Sequence, residues 1–375
     1  MRRRPSAGIG IPFSGFSPAR KPAFTEPRNN RGCNPFRGSK SVKRFLAITA
    51  GLVVCASASV ASAQKLNAAG ATFPYPIYSK WFSEYNSSHG IQINYQPVGS
   101  GAGIRQVTAG TVDFGASDGP MTDEQIATSK VKIQHIPTVL GAVVPIYNLQ
   151  GVNGGLKFSP DVLADIYLGK ITNWNDARLA KDNQGVSLPN TEIFVVHRSD
   201  GSGTTYIFTD YLSKVSGDWK GGPGKGTSPS WPRGIGAKGN EGVAGMVRQT
   251  PGAIGYVELI YALQNKIDSG LVKNPGGVFM KASIESVTAA AASMKQMPAD
   301  YRVSITNAPG KDAYPISSFT WLLVPNPGPD GAKSKVIKDF LTWMLDHESE
   351  VTSLNYAPLP EAVTTKVKAT ISQLK

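Results

Sequence analysis

The stretch His197-Arg198-Ser199-Asp200-Gly201-Ser202-Gly203-Thr204-Thr205 follows an apolar run at residues 193–196 and precedes Ile207, Phe208, Tyr211, Leu212 and Val215 at helical spacing. It reads as a strand, a tight turn and a helix start. The first N–H groups of a helix have no intrahelical partner and lie at the positive end of its dipole, so a turn rich in glycine and hydroxyls suits an oxyanion there. Arg198 adds a guanidinium at the rim of the turn.

Working outward, the same device recurs twice. Ala68-Ala69-Gly70-Ala71-Thr72-Phe73-Pro74 runs into Tyr75, Tyr78, Trp81, Phe82 and Tyr85 at helical spacing, with Thr72 expected as N-cap and Pro74 in the first turn. Gly99-Ser100-Gly101-Ala102-Gly103 follows the alternating Ile91, Ile93 and Tyr95 and opens a helix carrying Ile104 and Val107. A dinucleotide fingerprint is the nearest rival, because Asp118 lies about twenty residues beyond Gly99. Ile104 stands where the third glycine is needed, so no nicotinamide cofactor follows. Residues 111–118 read as a short strand into a turn ending at Asp118, followed by a capping box at Thr122 and Gln125. Taken alone, Asp118 before Gly119 is an ordinary turn residue.

The rest of the chain keeps α/β alternation. Residues 136–147 form a buried strand expected to break at Gly141 and Pro145 and to cross between domains. Helices are expected around a Gly169-Lys170 turn, over 240–247, from Ile260, over 336–345 and at the C-terminus. Strands are expected over 252–257 and 315–324. Residues 221–230 are a surface loop whose likeness to a phosphate-binding P-loop fails because Gly226 directly follows Lys225.

The chain has 375 residues, enough for two domains, and a formal charge of +13. Residues 1–63 hold 11 of the 39 Lys/Arg and one of the 26 Asp/Glu, so the remainder carries a net charge of only +3. The body is not a polycation, and no nucleic-acid partner is expected. Lys43-Arg44, the apolar stretch 45–54 and Ala61-Ser62-Ala63 predict an export signal over 42–63, cleaved after about Ala63. Residues 1–41 lack hydrophobic periodicity and read as disordered or as an over-extended start. Both cysteines, Cys33 and Cys55, fall in this leader, which leaves the mature chain without thiolate chemistry. Val53-Val54 before Cys55 are bulkier than lipoprotein processing usually accepts, so a soluble exported product is favoured. The four histidines show no ligand spacing, and neither metal nor other cofactor is expected.

Nothing in the pattern sets a general base beside a nucleophile. A serine hydrolase or phosphatase built on Ser202 is the rival from another class, but Asp200 and Thr204 stand where the glycines of a nucleophile elbow belong. The hydroxyls of Thr72, Ser100, Ser202 and Thr204, the turn N–H groups and Arg198 can all donate to a tetrahedral oxyanion. An ionised Asp118 can only accept. It therefore demands a ligand that brings a proton, which phosphate does near neutral pH and sulfate does not. A binder of another tetrahedral oxyanion, sulfate or arsenate, is the closer alternative, and arsenate is protonated just as phosphate is.

The sequence resembles the periplasmic phosphate-binding proteins that serve the phosphate-specific ABC transporter. The likeness spans residues 66–375 and rests on residues 70–74, 98–103, 112–118 and 198–204, supported by 166–171, 238–242 and 251–258. It implies an α/β fold of two domains, a type II or Venus-flytrap periplasmic binding protein whose hinge is crossed twice. Domain I is expected at 64–141 plus 314–375, and domain II at 142–313. By motif match, Thr72, Phe73 (through its N–H), Ser100 and Asp118 face the ligand from domain I; Arg198, Ser202, Gly203 and Thr204 face it from domain II. Asp200 is implied as the partner of Arg198. Gly101 departs from the pattern, which often has a second serine there. The implied protein is a monomeric, non-enzymatic carrier of inorganic phosphate in the periplasm, which delivers its ligand to membrane permease subunits driven by a cytoplasmic ATPase.

Overall fold

The computed structural model describes residues 65–152 and 155–375. The expected export signal and cleavage point lie outside those residues. In chain order the strands are β1 (Lys65–Gly70), β2 (Gln92–Pro97), β3 (Phe114–Ser117), β4 (Ile133–Tyr147), β5 (Lys157–Phe158) and β6 (Phe194–Arg198). They continue with β7 (Ile235–Ala237), β8 (Ala253–Glu258), β9 (Leu271–Lys273), β10 (Phe279–Met280) and β11 (Ser317–Pro325).

An eight-stranded sheet has the order β2-β1-β3-β11-β4-β8-β6-β7, and β10-β9-β5 form a small second sheet. Both flanks of the large sheet are parallel, β2 and β3 on β1 and β7 and β8 on β6. Its centre is antiparallel: β3 on β11, β11 on β4, and β4 on β8. Parallel neighbours need crossover helices, and these bury the faces of the sheet. The first, Tyr75–His89, turns Ile77, Tyr78, Trp81, Phe82 and Tyr85 inward, three and four residues apart.

β4 joins two half-sheets. Ile133 to Ala142 pair with β11, and Val143 to Tyr147 pair with β8. The expected break at Gly141 and Pro145 does not occur. The strand is continuous because it has one main ladder partner at a time, which leaves the N-side of Pro145 free of any ladder bond while its carbonyl accepts from Gly270 N–H at 2.8 Å. Gly141 is needed for space: a Cβ there would lie 2.6 Å from the Phe73 ring and 3.1 Å from Glu258 Oε1.

The second passage of the chain between the half-sheets, near residues 304–316, is tied down on both sides. Ser304 and Thr306 hydroxyls donate to Asp210 at 2.5 Å each, and Tyr314 donates to the Val143 carbonyl at 3.0 Å. Burial opposes ionisation of Asp210, but these hydroxyls with Lys214 and Lys225 outweigh it and hold its carboxyl below the usual range. Among the described residues no helix is long and apolar enough to cross a membrane, and no cluster of His, Cys, Asp and Glu could hold a metal ion.

Candidate functional site

All three glycine-hydroxyl turns end at one place. Ser100 and Gly203 are the first residues of the helices Ser100–Thr108 and Gly203–Val215, so their N–H groups have no intrahelical acceptor. The turn before Tyr75–His89 differs from expectation. Its N-cap is Pro74, not Thr72, and no side chain caps it. The Thr72 hydroxyl instead points at the other half of the molecule, where the Asn240 amide donates to it at 2.8 Å. The Phe73 N–H has no acceptor among the described residues, and the Phe73 carbonyl accepts from Tyr356 at 2.6 Å, which fixes that peptide.

The halves touch at the turns. Gly101 N–H donates to the Gly201 carbonyl at 2.8 Å, and a Cβ on Gly101 would sit 3.2 Å from Gly201 Cα. The missing serine at 101 thus coincides with a close backbone approach. Gly203 is tighter still, since a Cβ there would lie 2.4 Å from Ser100 Oγ and 2.6 Å from Asp118 Oδ2. Ser202 serves as N-cap: its Oγ accepts from Thr205 N–H at 3.0 Å, and its own N–H donates to the Thr227 carbonyl at 2.9 Å. Thr72, Phe73, Ser100, Asp118, Arg198, Ser202 and Thr204 are all buried.

Arg198, at the end of β6, is held as a fork. Its Nε and Nη2 donate to Asp200 Oδ1 and Oδ2 at 2.8 and 2.6 Å, and its Nη1 donates to Thr204 Oγ1 at 3.3 Å. Gly239 N–H also donates to Asp200, at 3.1 Å. Burial works against the Asp200 charge, but the two Arg198 bonds, the Arg198 charge and the Gly239 N–H prevail and hold its carboxyl below the usual range. The expected pairing of Asp200 with Arg198 is therefore present.

Asp118 stands otherwise. It is 1% exposed; its Oδ1 accepts from Thr320 at 2.8 Å and its Oδ2 from Ser100 at 3.4 Å. Burial dominates and pushes its carboxyl up from the ordinary 3.8 to about 7, against the pull of the Thr320 hydroxyl, the Arg198 charge and the Ser100 hydroxyl. The site thus combines one acceptor able to change protonation near neutral pH with a ring of donors.

The chain is similar to known proteins over most of its length. The PBP superfamily domain matches residues 56–348. The phosphate-binding protein PstS of Xylella fastidiosa (strain Temecula1) is 43% identical over 341 residues, covering 90% of this chain and 93% of that protein. This chain belongs to the PstS family. The PstS protein of Pasteurella multocida is 45% identical over 310 residues, covering 82% of this chain and 90% of its own. Among solved structures, a high-affinity periplasmic phosphate-binding protein (PfluDING) bound with phosphate superposes with a TM-score of 0.64 at 22% identity, over 82% of this chain and 93% of that one. The fold is that of a two-domain periplasmic binding protein, and β4 is the strand shared by its two half-sheets.

Sequence reasoning missed three residues at the candidate site. Thr320 lies in the apolar strand β11 and gave no polar signal. Asn240, second in the helix Gly239–Gln249, reads from sequence as a helix-start residue. Glu258, fully buried at the end of β8, accepts from Ile260 N–H at 2.8 Å, and burial holds its carboxyl well above the usual range. The signal for Asn240 was Gly239, whose φ of 72° lies in the left-handed region and marks a turn built to aim the next residue.

Proposed function

We propose that this chain captures inorganic phosphate outside the cytoplasm and hands it to an ABC import permease. One observation carries the reading: Asp118, a buried carboxylate acceptor with no ion-pair partner among the described residues, lies where donors from Thr72, Phe73, Ser100, Arg198, Ser202, Gly203 and Thr204 converge. Phosphate near neutral pH supplies the proton that Asp118 needs, and its remaining oxygens meet N–H, O–H and guanidinium groups. The PstS names of the relatives support the same ligand.

Residues 64–141 with 314–375 form one lobe in this reading, and 142–313 form the other. Ligand contacts with both lobes favour the closed form, because only a ligand that binds the two states differently can shift their balance. The closed monomer is the form that docks on the permease, with a cytoplasmic ATPase driving release. Export through the segment 42–63 brings the protein to the periplasm.

Binding without turnover follows from the fate of Ser202. Its Oγ caps a helix, while the nearby His197 ring stacks on Trp231 at 4.8 Å and its Nδ1 lies 3.0 Å from the Arg198 carbonyl. A hydrolase would need that imidazole on the serine. Incubating the purified protein with phosphate and, separately, with a chromogenic phosphate ester tests this. Stoichiometric phosphate binding with no ester turnover is expected; turnover lost in Ser202→Ala would replace the carrier by an enzyme.

A further inference from the structure

Asn240 is fully buried and every polar group of its side chain is engaged. Its Oδ1 accepts from Glu258 N–H at 3.0 Å, which fixes the amide's orientation. Its Nδ2 therefore faces the other way, and donates to Thr72 Oγ1 at 2.8 Å and to Thr204 Oγ1 at 3.1 Å. These two threonines come from opposite half-sheets.

A threonine hydroxyl has one proton and two lone pairs. Thr72 Oγ1 receives a second donor, Asn240 N–H, at 3.3 Å. Thr204 Oγ1 receives Arg198 Nη1 at 3.3 Å. Both lone pairs are thus occupied on each oxygen, and neither hydroxyl donates to an acceptor among the described residues. The only bond left for each is to give its proton away.

The geometry points to Asn240 as a positioning residue that sets the Thr72 and Thr204 hydroxyls as obligate donors to the anion. It touches no ligand in this role. It removes the orientations in which a hydroxyl would present a lone pair to a negatively charged oxygen, so the anion meets two donors already turned outward. Because it binds one threonine of each half, it also sets both only when the halves are together. The inference rests on the phosphate-binding reading.

Phosphate calorimetry on the purified protein and on N240A, N240D, T72V/T204V and T72V/T204V/N240A tests it. The unaltered protein is titrated first; absence of binding there overturns the phosphate reading and this inference with it. Given binding, N240A is expected to lose about tenfold in affinity, and T72V/T204V about a hundredfold, from the lost hydrogen bonds. The triple variant should bind no more weakly than T72V/T204V, because Asn240 has nothing left to orient. N240D keeps the shape and the Glu258 bond but accepts where Asn240 donates, so it should bind more weakly than N240A. A triple variant in which the losses multiply, or N240D binding as tightly as N240A, overturns the role. Unfolding midpoints without phosphate check that each variant folds. If the truncation at 240 does not fold, the neutral, similarly sized N240L replaces N240A in both comparisons and carries the same test.

Discussion

Asp118 is buried and Asp200 half-buried, each beside an anion turn and one in each half of the molecule, yet their surroundings push their carboxyls in opposite directions. Asp200 accepts a two-pronged Arg198 guanidinium and a backbone N–H, and stays below the usual range. Asp118 has only hydroxyls and a more distant charge, and rises to about 7. The difference divides the work. Asp200 holds a charge permanently, aiming Arg198 and cancelling most of its field, so the second half attracts an anion through directed donors and little net charge. Asp118 is poised between protonation states, and it is where one tetrahedral anion can be told from another.

The first way to break the comparison is to remove the fixed partner. Arg198→Ala deletes ligand donors and leaves the Asp200 carboxylate without its partner beside the anion, so phosphate affinity should fall roughly a thousandfold, in line with about 4 kcal/mol for truncating a hydrogen-bonded charge pair at a binding site. Calorimetry of the folded variant checks it, and unchanged affinity would take Arg198 out of the site.

The poised partner is probed by pH. Its carboxyl is raised from 3.8 to about 7, so between those values the closed form holds a proton that the open, hydrated form gives up. The stabilisation of closure is full below the lower value and is lost as pH rises through the higher one. Sulfate brings no proton, so its affinity should climb about tenfold for each unit that pH falls within that window. Phosphate carries its own proton and should change less. Sulfate titrations that are flat with pH would show that Asp118 does not take up the proton. Asp118→Asn should give a comparable gain at fixed pH, raising sulfate affinity about a hundredfold by replacing the clashing oxygen with a donor.

The contact between the halves gives a smaller effect. In Gly203→Ala the new methyl group meets Ser100 and Asp118 only in the closed form, so affinity should drop about tenfold, as expected for modest overpacking. Scattering in saturating phosphate should show a less compact particle than the unaltered protein gives. Smallest of all is Thr122→Ala, which breaks a capping box that is not part of the three turns. It should cost about 1 kcal/mol of stability and leave binding unchanged. Thermal unfolding and calorimetry read the two halves of that prediction.

Much of this was legible in the chain because strand, glycine turn and hydroxyl at a helix start leave a local signature. Residues 70–74, 99–103 and 198–204 each carried it, and each turn lies at the site. The capping box at Thr122 and Gln125 was legible for the same reason. What was not legible depends on contacts distant in sequence. Thr72 looked like a cap, and only the fold reveals Asn240, 168 residues away, as its partner. Thr320 reaches Asp118 across 202 residues from a strand that reads as pure core. Gly141 and Pro145 suggested a broken strand, because sequence does not show that β4 exchanges one neighbour for another. The small sheet of β5, β9 and β10 has strands too short to carry an alternating pattern.

The central claim is that one buried acceptor among donors selects the anion. Titrating the purified protein with phosphate and with sulfate at pH 8, above the Asp118 transition, tests it most directly. The account predicts that phosphate binds at least about a hundredfold more tightly, since an ionised Asp118 faces an unprotonated sulfate oxygen at short range. Equal affinity for the two anions would contradict it.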